Sequence, residues 1–168
     1  MRIILGIDPG LAQTGYGLIA VERNRFRHLD HGVISTAAGD GAGQRLNELY
    51  RQLAALLDRY RPSDAGVESL YFARNVSSAI PVAQARGVVL LLLHQRGISA
   101  AEYPPQAIKQ AIVGQGRAEK HQVQDLVRVL LGLGEIPRPD HAADALAAAI
   151  CHHNSGDVAA RISAVLDS

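Results

Sequence analysis

Cysteine is almost missing from this chain: one residue, Cys151, in 168. That excludes an internal disulfide framework and a cysteine zinc site, and it fits a reducing, cytoplasmic setting. Lysine is nearly as scarce. Of 17 basic residues only Lys109 and Lys120 are lysine, both within one twelve-residue segment, and the other 15 are arginine. Long apolar runs are lacking too: Val88 to Leu93, an unbroken run of six, is far short of the roughly 20 residues of a membrane helix. Met1-Arg2-Ile3-Ile4 leads into Gly6-Ile7-Asp8 with no cleavable signal, so no membrane or secreted class is expected. There is no internal repeat, and Gly39-Asp40-Gly41-Ala42-Gly43 is too short to link domains.

What is present suffices for one domain, since 48% hydrophobic residues can fill a core at this length. Residues 1–154 are read as that domain and 155–168 as a C-terminal tail, either a weak helix or untethered. Ile3 to Ile7 is apolar on successive residues, as in a central strand covered on both faces, and stops at the turn signal Asp8-Pro9-Gly10. Thr14 to Val21 and Phe26 to Ser35 read as two further strands, so an antiparallel meander opens the chain. Leu46, Leu49, Tyr50, Leu53, Leu56, Leu57 and Tyr60 recur at helical spacing, ending before Pro62. Residues 64–70 read as a fourth strand. A helix follows, capped at Ser77 or Ser78, with Pro81 in its first turn and Gly97 at its end. Ile98 to Tyr103 is a fifth strand. Helices are expected over Gln106 to Val113, Glu119 to Leu133 and Asp140 to His153, with a polar break at Asn154-Ser155-Gly156. The fold class is α/β: a mixed five-stranded sheet, three strands in a meander plus two parallel ones, with helices on both faces.

Two acids stand out against this pattern. Glu68 lies in the mostly apolar Ala-Gly-Val-Glu-Ser-Leu, where an unpaired buried carboxylate is costly, and Asp8 closes a still more apolar strand. If their strands are neighbours, the two carboxylates meet at the end of the sheet and repel unless a cation joins them. His141 and Asp144, three residues apart at a helix start, face one way and can complete the set. Asp140, about 100° further round, reads as a cap. Oxygen-rich sites of this kind suit Mg²⁺ or Mn²⁺, and their commonest chemistry is in-line attack of water on phosphate, assisted by two ions about 3.5 to 4 Å apart, one activating the water and the other stabilising the leaving oxygen.

Gly6-Ile7-Asp8-Pro9-Gly10 with Thr14-Gly15-Tyr16-Gly17, then Gly66-Val67-Glu68, Gln84-Ala85-Arg86-Gly87, Val113-Gly114-Gln115-Gly116, Ala118-Glu119-Lys120 and Asp144-Ala145-Leu146-Ala147, together resemble the RuvC family of bacterial Holliday junction resolvases. The resemblance runs from residue 2 to about 153. It implies an RNase H-like fold, a homodimer, and a metal-dependent endonuclease that places paired nicks in opposing strands of four-way junction DNA. Asp8, Glu68 and Asp144 then carry over as metal ligands. The fourth position, often Asp in that family, is His141 here, a residue able to bind metal or act as a general base. Nitrogen ligation favours Mn²⁺ over Mg²⁺.

For DNA, Arg117, Lys120 and His121 gather where a helix begins, a place that disfavours cations unless an anion such as phosphate binds there. The resemblance makes Lys109 and Lys120 the pair beside the scissile phosphate, with Lys120 taking part in catalysis. It also places Tyr71, followed by Arg74 in Tyr71-Phe72-Ala73-Arg74-Asn75, as the aromatic that stacks on bases of an opened junction. Gly87 within an apolar helix suits close approach of a second copy. The family works with the branch-migration proteins RuvA and RuvB. Cys151, His152 and His153 point different ways round a helix and read as structural. Two other readings fit less well: a junction-binding module without catalysis is disfavoured by the retained acids, and an RNase H-like nucleotide-binding or RNA-processing protein by the lysines and the aromatic loop.

Overall fold

A computed structural model describes residues 1–23, 25–69 and 76–166. The elements are β1 (Arg2–Asp8), β2 (Gln13–Glu22), β3 (Arg25–Ser35), α1 (Ala42–Tyr60), β4 (Asp64–Glu68), α2 (Val76–Gln95), β5 (Ser99–Tyr103), α3 (Pro105–Val113), α4 (Lys120–Leu130) and α5 (Asp140–Leu166). The five strands form one sheet in the order β3-β2-β1-β4-β5. β1 pairs antiparallel with β2 and parallel with β4, and β4 pairs parallel with β5. The expected mixed sheet is therefore present, with β1 at its centre: Ile4, Leu5 and Ile7 are wholly buried.

Each face of the sheet carries its own apolar cluster. On one side α1 and α2 contribute Leu49, Leu53, Leu57, Ala85, Val89, Leu92 and Leu93 over Leu5, Leu18 and Val67. On the other, Ile108, Val123 and Val127 of α3 and α4 join Leu146 and Ile150 of α5 over Ile4 and Ile19. α5 is the helix that places the site. Its Ala142, Ala143, Ala145, Ala147, Ala148 and Ala149 are all buried, which lets its backbone lie flush on the strands. Glycine in the strands completes the fit: a Cβ at Gly6 would stand 1.8 Å from the Ala145 carbonyl oxygen, and one at Gly15 would stand 2.0 Å from that of His141.

Several local readings differ from the structure. α4 stops at Leu130, short of the expected Leu133, and Ser77 and Ser78, expected as caps, are the second and third residues of α2. α5 runs unbroken through Asn154-Ser155-Gly156, across the boundary placed at residue 154. The Asn154 amide there donates to the Ala111 carbonyl of α3 at 3.2 Å, so the polar residue is satisfied by a tertiary contact and has no need to break the helix. Pro81 is the sixth residue of α2, beyond the first turn, because the helix begins at Val76. Asp140 is the first residue of α5, and its carboxylate turns toward α4 instead of capping its own helix.

α2 is, among the described residues, the one helix long and apolar enough to cross a membrane, over Ser77–Gln95. Ala85, Val89, Leu92 and Leu93 nevertheless lie in the core, while Ile80 and Leu91 are exposed on its outward side.

Candidate active site

The register of the sheet brings the two isolated acids together. Ile7 pairs with Val67 across β1 and β4, so the next residues, Asp8 and Glu68, leave adjacent parallel strands at the same level. The turn after Asp8 is clipped by Thr14: its hydroxyl donates to the Gly10 carbonyl at 2.6 Å and lies 3.3 Å from the Gly10 amide. Gly15, opposite Asp8 in the register, admits the first turn of α5. That turn delivers His141 and Asp144. His141 Nδ1 sits 2.7 Å from Asp8 Oδ2, and one ligand atom each from Asp8, His141 and Asp144 lies within 4.8 Å of the others, a grouping that could hold a metal ion.

Glu68 completes the crowd. Burial, the charges of Asp8 and Asp144, and a hydrogen bond with Asp8 push its carboxyl up to about 8. Burial also raises Asp144, with Lys120 pulling the other way. Lys120 is partly desolvated, yet the carboxylates of Asp144 and Asp140 outweigh that and raise its ammonium above the ordinary lysine value. The side chains thus hold surplus negative charge in a partly dry corner, an arrangement a divalent cation would relieve.

Both lysines face this corner. A cleft of about 150 Å³ beside it is lined by Glu68, Lys109, Lys120 and Asp144, with Ile108 and Val123 at its apolar base. Lys120 Nζ stands 3.2 Å from Asp144 Oδ2 and 3.2 Å from Asp140 Oδ2. It is the first residue of α4, whose start is fixed by a reciprocal Glu119–Gln122 capping box. Arg117 is exposed on the turn just before it. Tyr71 and Arg74 lie outside the described residues.

The sequence reading missed two contributors. Thr14, 1% exposed, gives no sign in its strand of the backbone contact it makes. Asp140 had a usable signal, because it stands four residues before Asp144 and therefore shares a helix face with it. The cap reading set that aside.

A family model for crossover junction endodeoxyribonuclease RuvC matches residues 4–152. The chain belongs to the RuvC family. The crossover junction endodeoxyribonuclease RuvC of Treponema denticola is 54% identical over 155 residues, covering 92% of this chain and 87% of that one. Among solved structures, Thermus thermophilus RuvC superposes with a TM-score of 0.87 at 36% identity, covering 94% of this chain and 97% of the other. The same organism's RuvC in complex with a Holliday junction substrate gives 0.86 at 34% identity, covering 94% and 96%. With these neighbours and the observed topology, the fold is RNase H-like, as the sequence resemblance implied.

Proposed function

We propose that Asp8, Glu68, His141 and Asp144 hold two divalent cations and that this centre makes symmetric nicks in two opposing strands of a four-way junction. The activity class comes with the family: the chain is a crossover junction endodeoxyribonuclease, a resolvase of Holliday junctions in recombination and repair. What carries the assignment of residues is the convergence of Asp8, His141 and Asp144 within 4.8 Å, next to a Glu68 whose carboxyl is driven toward its protonated form.

The donor set, three carboxylates and an imidazole, fits hard or borderline divalent ions. Bound there, they would supply a water activated for in-line attack and a countercharge on the leaving oxygen. The chain's own residues do the rest. Asp8 and Glu68 fix the centre to the rigid sheet, and Asp144 and His141 close it from α5. Asp8 orients the His141 ring through Nδ1, and the imidazole biases the site toward Mn²⁺ over Mg²⁺. Lys120 and Lys109, both lining the cleft, hold the scissile phosphate as point charges. Arg117 and Arg74 add contacts to the DNA backbone, and Tyr71 stacks on an unpaired base.

Paired nicks need two such centres, and a homodimer with two-fold symmetry matches the junction. The exposed Ile80 and Leu91 on α2, on the side where Gly87 meets open space, support that helix as the contact between copies. Within this reading the protein works in the cytoplasm with RuvA and RuvB. The test uses end-labelled four-way, three-way and linear duplex DNA with Mg²⁺, Mn²⁺ or EDTA. Symmetric metal-dependent nicks confined to the four-way substrate are expected, and their persistence in D144N would refute the assignment.

A further inference from the structure

The end of α4 that carries Lys120 holds a second acidic side chain that the catalytic assignment does not use. Asp140 Oδ2 lies 3.2 Å from Lys120 Nζ, and its other oxygen, Oδ1, accepts a hydrogen bond from Gln124 Nε2 at 3.1 Å. Gln124 sits one turn beyond Lys120 on α4, so the two α4 side chains grip one carboxylate of α5 from the same helix face. Lys120 is consequently suspended between two carboxylates one helical turn apart, Asp140 toward solvent and Asp144 toward the centre. Their exposures differ accordingly, 63% for the Asp140 side chain and 28% for Asp144.

We infer that Asp140 is a positioning residue for Lys120: it keeps the ammonium partly away from Asp144, so that Asp144 stays available to a cation, and aims it at the cleft where the phosphate enters. The inference rests on reading Asp8, Glu68, His141 and Asp144 as the metal centre. Its physical basis is competition. Lys120 and a cation are alternative counterions for Asp144, and an ammonium shared with Asp140 is a weaker competitor than one committed to Asp144. Gln124 makes the sharing geometric, because it fixes the Asp140 carboxylate in place before substrate arrives. Asp140 cannot ligate with Asp8 in the way His141 does, since its carboxylate is turned to α4.

The experiment measures Mn²⁺ binding to the DNA-free protein by calorimetry or EPR in wild type, D140N, D140E, K120A and K120A/D140N, with junction cleavage at saturating metal alongside. D140N keeps the shape and one acceptor oxygen but removes the charge and the second acceptor. Its Mn²⁺ dissociation constant should rise by up to about fivefold, the size of an exposed ion-pair coupling. kcat on the junction should fall by a similar factor with KM unchanged, and D140E should recover most of both. In the K120A background the D140N effect on Mn²⁺ should vanish. An unaltered Mn²⁺ isotherm in D140N overturns the inference, and so does a shift of equal size in K120A/D140N, which would mark Asp140 as a simple long-range charge. A wild type that binds no Mn²⁺ would instead overturn the metal-centre reading and the inference with it, so the two failures are told apart by the first isotherm.

Discussion

His141 Nδ1 and Asp8 Oδ2 are 2.7 Å apart although 133 residues separate them in the chain. The contact joins the exit of the central strand to the first turn of α5, and it orients an imidazole that stands 46% exposed at the mouth of the site. A ring held in this way has one nitrogen committed and the other defined, which is how partner carboxylates tune metal-binding histidines. H141A should therefore weaken divalent-ion binding and lower junction cleavage by about 10- to 100-fold. H141D should restore cleavage while reversing the preference, with Mg²⁺ supporting turnover at least as well as Mn²⁺. Rates across a concentration series of each metal check both outcomes.

The close seat of α5 on the sheet gives a second test. A Cβ at Gly6 would stand 1.8 Å from the Ala145 carbonyl oxygen and 2.7 Å from the Ala149 amide nitrogen, all backbone atoms that cannot swing aside. G6A should push α5 off β1 and destabilise the fold by about 3 kcal/mol, the upper range for overpacking. That corresponds to a Tm lower by about 10 °C in a thermal melt. Gly39, outside any helix and with open space around it, serves as the control, and G39A should melt with the wild type.

How much of this was legible in the sequence depended on whether the signal was local. Asp8 and Glu68 were visible because acids in apolar strands are conspicuous, and His141 with Asp144 because three-residue spacing fixes a common helix face. The mixed sheet followed from the meander and two crossovers, whereas the pairing of β1 with β4 stayed a condition until the structure supplied the strand order. The length of α5 was not visible, since the residues that looked like a break are satisfied by α3, a contact that no local pattern encodes. The place of Asp140 on the Asp144 face was legible from the four-residue spacing, but its partners, Lys120 and Gln124, come from another helix and were not. The glycines of β1 and β2 read as motif residues, while their reason, an alanine-faced helix pressed against them, exists only in three dimensions.

Thr14 supplies a test of how the Asp8 turn is held. Its buried hydroxyl is the partner of the Gly10 carbonyl, and T14V replaces it with a methyl of similar shape. The unpaired carbonyl should destabilise the protein by about 1 to 3 kcal/mol. T14S, which keeps the hydroxyl, should recover most of the loss. Because the turn carries Asp8, T14V should also weaken Mn²⁺ binding, measured by calorimetry, to a greater extent than T14S.

Glu68 predicts a coupling between metal, protons and stability. Its carboxyl rises from 4.5 to about 8 in the fold, through burial first and then the charges of Asp8 and Asp144. Between those values the folded chain holds a proton that the unfolded chain has released, so this group makes stability fall as pH rises through the window. Above about 8 the full penalty is present; below 4.5 it is absent. A divalent cation bound among these carboxylates favours the ionised form and must displace that proton. At pH 7 metal binding should therefore release protons, seen as a dependence of calorimetric enthalpy on the ionisation enthalpy of the buffer. The rise in Tm on adding Mg²⁺ or Mn²⁺ should be larger at pH 8.5 than at pH 6. E68Q has no carboxyl to titrate: the proton release at pH 7 should shrink, and the metal-free protein should no longer lose stability between pH 6 and 8. A wild-type enthalpy independent of buffer at pH 7 would show that Glu68 is already ionised before the cation arrives.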